Sequence, residues 1–123
     1  MSTFQEFEFA VEKVAVAALR AEERFRILDE GRFLTPAARA ALLQAAEELA
    51  ACAERAGAFK QPRDVIDDEW AEPALLRLRG AMATVAHTAA QPPRDVRDWA
   101  HDVRLALGDF TLAKARFDTE IER

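Results

Sequence analysis

Apolar residues recur along this chain at alternating spacings of three and four, the signature of helices that each bury one seam. Near the N-terminus the series is Phe4, Phe7, Val11, Val14, Ala18, Ala21, Phe25 and Leu28. Near the C-terminus it is Val96, Trp99, Val103, Ala106, Phe110, Ala113 and Phe117, after which the pattern slips by one residue to Ile121. Two shorter series lie between them. One is Ala38, Leu42, Ala45, Leu49, Cys52 and Ala56; the other is Leu75, Leu78, Met82, Val85 and Ala89. The pattern predicts four amphipathic helices, the first and last being the longest.

Start and stop signals bound these helices. Thr3 followed by Glu6 makes a capping box for the first, which should run to about Glu30 and stop at Gly31. Thr35 caps the second, with Pro36 at the first helical position, and Gly57 ends it just past Ala56. Pro62 and Pro73 bracket an acidic stretch, with room for a short helical turn. The third helix should run from about Pro73 to Ala90, with Gly80 inside it. Pro92 and Pro93 separate it from the fourth, which continues to the C-terminus. The expected fold is a single all-α domain, an up-down four-helix bundle with long first and last helices. Those two would each span about 40 Å, against roughly 27 Å for the third. The long pair should therefore overhang the short pair and leave apolar seam exposed for a second copy.

Composition agrees and narrows the function. Of the 123 residues, 50% are hydrophobic and 32% charged, which suits a folded helical domain. The formal net charge is −5, so the chain as a whole does not attract phosphate backbones, and nucleic acid is not an expected partner. No apolar run is long enough to span a membrane, and no signal peptide is evident. The single cysteine, Cys52, cannot form an internal disulfide, and a reducing cytoplasm is the simplest setting. The abundance of Ala and Arg with few Lys suggests a GC-rich bacterial genome.

Candidate chemistry is sparse. Cys52 on the second seam reads as a buried thiol, and His87 at the edge of the third as a half-buried structural histidine. Asp98 and His101 make one Asp-x-x-His step. A di-iron carboxylate site needs two Glu-x-x-His steps and two further glutamates facing inward, so no metal is expected. Glu69-x-x-Glu72 with Asp95-x-x-Asp98 resembles the acidic motifs of MazG-type nucleotide pyrophosphohydrolases, which hold magnesium. Here the pairs begin antiparallel helices, at opposite ends of the bundle, about 25 Å apart. Arg94, Asp95 and His101 are similar to the R-x(4–6)-H pattern of HEPN-type ribonucleases, which are also small dimerising helical bundles. That resemblance covers eight residues. It implies a general acid or base at His101 and a phosphate-steadying cation at Arg94. The aromatic that often follows in that family is missing, and Asp95, Asp98 and Asp102 would repel RNA.

The remaining signal is for association. Phe59, Val65, Ile66 and Trp70 are interleaved with acidic residues, an anchor-and-rim composition, and Phe110 and Phe117 lie on the last long seam. The sequence is read as a protein–protein interaction module without cofactor: a small acidic adaptor, inhibitor or regulatory subunit, homodimeric through its first and last helices. The enzymatic alternative is the HEPN-like ribonuclease using Arg94 and His101.

Overall fold

The computed structural model describes residues 3–29, 35–59, 72–91 and 95–121. They form four helices: α1, Thr3–Asp29; α2, Pro36–Gly57; α3, Glu72–Ala90; and α4, Val96–Ile121. No strand occurs among the described residues. Each helix packs on its neighbour in sequence, and α4 closes the ring onto α1. The result is the expected all-α four-helix bundle. Its antiparallel sense shows at both ends. Phe7 near the start of α1 meets Phe117 near the end of α4, at 5.9 Å between ring centroids. Phe25 near the end of α1 meets Trp99 near the start of α4, at 5.1 Å.

Local chemistry sets the helix ends. The Thr35 hydroxyl accepts from the Ala38 amide at 3.1 Å, so one amide orphaned at the start of α2 is satisfied. Pro36 follows at the first helical position, as expected. Helix α2 runs through Gly57 and closes at Ala58, whose right-handed backbone (φ −70°, ψ −15°) lets its amide donate to the Arg55 carbonyl. Gly57 is thus the last helical residue and no left-handed stop. Asp95 caps α4: its Oδ1 accepts from the Arg97 amide at 2.9 Å and the Asp98 amide at 3.2 Å. A carboxylate there also favours the helix dipole. The capping box at Thr3, the stop at Gly31 and the breaks at Pro62, Pro92 and Pro93 lie outside the described side chains and segments.

The core is apolar throughout. Its large members include Phe7, Phe25, Leu42, Leu49, Leu75, Leu78, Met82, Phe110 and Phe117, and alanines fill the spaces between them. No polar side chain is buried among the described residues. The seams of α1, α3 and α4 match the sequence pattern, with Phe4, Val96 and Ile121 half-buried at the ends. The seam of α2 is rotated. Ala46 and Ala53 are buried, Ala38 is exposed, and Cys52 is half-buried at the edge facing α1. Among the described residues the expected apolar overhang is not seen. The α1 seam is buried from Phe7 to Leu28 and the α4 seam from Trp99 to Phe117. Phe59, just beyond α2, closes one end by packing edge-on to Phe7 at 5.5 Å.

Polar contacts fix the α1–α4 register. Arg104 donates to Glu22 at 2.9 Å, and Lys114 reaches Glu12 at 2.8 Å one helix segment away. Lys114 also bonds Asp118 at 2.8 Å. Partial burial opposes the Lys114 charge, but the hydrogen bonds and charges of Asp118 and Glu12 outweigh it and hold its pKa above the ordinary 10.5. A raised lysine pKa gives stability that is complete below the unfolded value and is lost as pH rises through the folded one. The stability gap between wild type and Lys114→Met should therefore be flat from neutral pH to about 10 and narrow above that. Melts across this range check it; a gap unchanged well above 10.5 would sink the assignment.

Candidate interaction surface

The structure places the sequence-predicted residues in three groups. Phe110 and Phe117 are core residues, 1% and 2% exposed, so the contact foreseen there is already made by the chain's own helices. Phe59 is half-buried against Phe7 at the end of the bundle. Val65, Ile66 and Trp70 lie outside the described residues, and so does Arg94. His101 is exposed on the outer face of α4 beside Asp98, as the seam positions of Val96 and Val103 require. His87 is exposed rather than half-buried, because five residues past Met82 it points away from the core. Its Nε2 lies 3.4 Å from Gln91 Nε2. Among the described residues no group of three or more His, Cys, Asp or Glu is arranged to hold a metal ion.

What the surface does carry is exposed apolar side chains in patterned positions. Phe9 and Val16 on α1 are 56% and 48% exposed and one heptad apart, hence on one face. On α4, Leu105 and Leu112 are similarly spaced and exposed. Large exposed residues scattered singly need no explanation; repeated ones on one face do.

Phe9 and Val16 edge an open groove of about 450 Å³ between α1 and α2. Ala17 and Cys52 contribute to its apolar lining, and Lys13, Arg20 and Arg55 supply cations. Arg20 pairs with Glu48 across it at 3.4 Å, and the Lys13 ammonium sits 4.7 Å above the Phe9 ring. Both are solvent-exposed arrangements, worth tenths of a kcal/mol to about 1. Glu12, at the rim, is engaged by Lys114. Lys13 and Arg55 have no carboxylate partner among the described residues. The groove thus offers hydrophobic contact beside uncompensated positive charge on a chain of net negative charge. A second groove, between α3 and α4, is lined by Arg77, Ala81, Thr84, Asp109, Leu112 and Arg116 among others.

Sequence reasoning passed over Phe9, Val16, Leu105 and Leu112 because they fall between the seam positions. The available signal was a second three-four spacing offset from the first. No helix among the described residues is long and apolar enough to cross a membrane. Compared with family models, curated proteins and solved structures, the chain matches none of them.

Proposed function

We propose that the chain is a non-enzymatic protein–protein interaction module: a small acidic adaptor, inhibitor or regulatory subunit of a bacterial cytoplasm. The observation that carries this reading is the α1–α2 groove, where Phe9 and Val16 are half-exposed beside Lys13 and Arg55, cations with no carboxylate partner among the described residues. Its charge and shape suit an amphipathic helix of a partner protein, apolar on one face and acidic along its edge. Electrostatic attraction would set the rate and orientation of docking, and the aromatic would supply most of the affinity.

Binding from a host lysate, compared between wild type and the double variant Phe9→Glu/Val16→Glu, tests this. A protein retained by the wild type and lost, by roughly tenfold or more, from the variant supports the groove. Both positions are exposed on a helix, so the variant should keep its circular dichroism and melting temperature. Equal retention of every bound protein by both forms would sink the reading.

A further inference from the structure

A second seam runs along the outside of α4. Leu105, Gly108, Leu112 and Ala115 follow the same alternating three-four-three spacing as the core residues but point away from them, and all four are exposed. Leu105 is 58% and Leu112 73% exposed. Large and small residues alternate along this stripe. Gly108 has no purpose inside the monomer: a Cβ built there meets nothing within 4 Å, and the surrounding backbone is ordinary helix. Alanine would be the better helix former at that place.

We infer that α4 is the self-association helix, pairing antiparallel with α4 of a second copy across a two-fold axis. This rests on the interaction-module reading and names one partner for it. Set Leu112 over the partner's Gly108, and symmetry makes the contact reciprocal. In that register Leu105 lies over the partner's Ala115. Every large side chain then meets a small one, a knob entering a hole that glycine or alanine leaves open, with the two backbones close.

Charge supports the same register independently. Asp102 and Arg116 flank the stripe on one side, two heptads apart, and neither has an ion-pair partner among the described residues. The antiparallel pairing brings Asp102 of each copy beside Arg116 of the other, twice per dimer. Asp109 approaches its own counterpart near the axis, where Arg77, which lines the same groove as Asp109 and Arg116, supplies counter-charge. A parallel pairing would stack Leu on Leu and Gly on Gly and would leave both charges unmatched.

Sedimentation velocity of the full chain up to millimolar concentration tests the pairing. Wild type should dimerise. Gly108→Leu should weaken the dimer at least roughly tenfold while its melting temperature as a monomer holds or rises, since the new side chain has open space and a better helix propensity. Asp102→Arg should weaken it about two- to tenfold, and Asp102→Arg/Arg116→Asp should restore it. A wild-type monomer, a dimer indifferent to Gly108→Leu, or a failure of the double variant to rescue would each overturn the proposal. None of these changes touches the α1–α2 groove, so binding there stands or falls separately.

Discussion

Phe7→Ala should lower the unfolding free energy by about 3–5 kcal/mol, the range for deleting a fully buried phenylalanine. Phe7 has no exposed surface. It is the centre of a three-ring cluster, edge-on to Phe59 at 5.5 Å and to Phe117 at 5.9 Å. Three parts of the chain meet there: α1, the segment just past α2, and α4. Truncation would leave a cavity bounded by the Phe117 ring, held on α4, and the Phe59 ring just past α2, so only partial collapse is available to refill it. Phe59→Ala should cost less, on the order of 1–2 kcal/mol, because Phe59 is only half-buried. Urea denaturation of the pair, with unchanged slope, checks the ranking. A Phe59→Ala loss as large as that of Phe7→Ala would show that the end of the bundle depends on residues beyond Phe59.

At the opposite end, Trp99→Ala should cost a similar 3–5 kcal/mol. Trp99 packs on Phe25, and its indole Nε1 donates to the Thr88 carbonyl at 2.9 Å. Thr88 lies in the last turn of α3, where carbonyls lack an α-helical partner; its carbonyl also accepts from the Gln91 amide just past the helix at 3.4 Å. One side chain therefore ties α4 to α1 by ring contact and to α3 by hydrogen bond. Trp99→Phe separates the two effects: most of the ring contact stays and the hydrogen bond goes. It should cost about 0.5–1.5 kcal/mol, the net worth of one hydrogen bond, because the Gln91 amide at 3.4 Å still donates to the Thr88 carbonyl. If Trp99→Phe matched Trp99→Ala, the hydrogen bond would carry the whole effect and the packing account would fail.

The legibility of this bundle in its sequence depended on residue size. Seams containing phenylalanine, leucine and valine were readable, because only one helix rotation buries Phe7, Val11, Val14, Phe25 and Leu28 together. The rotation of α2 was not readable. Its sequence is rich in alanine on all sides, so exposing Ala38 and burying Ala46 and Ala53 changes little free energy, and facing-helix packing decides. Cys52 moved to the edge for that reason. The cap at Asp95 was obscured by the prolines before it. The partner surface was misplaced at Phe110 and Phe117 for a different cause. Periodicity marks residues to be buried, and it does not say whether the burying surface belongs to the same chain. Only packing distinguishes those two residues, which the bundle covers, from Leu105 and Leu112, which it does not.

The alanines in the core have a consequence for what ordering this chain demands. Among the described residues, twelve of the 28 that are buried and apolar are alanine, which has no rotamer to lose. Each buried leucine, isoleucine or methionine gives up roughly 0.5–2 kcal/mol of side-chain entropy on folding, and alanine gives up none. These alanine positions therefore order with no loss of side-chain freedom and gain correspondingly little from burial. The rings at the two ends carry the opposite balance, a large burial gain against rotamers held fixed. Rotamer exchange in the folded core should therefore be confined to the larger side chains, such as Leu78 and Met82, and absent at the alanines packed between them.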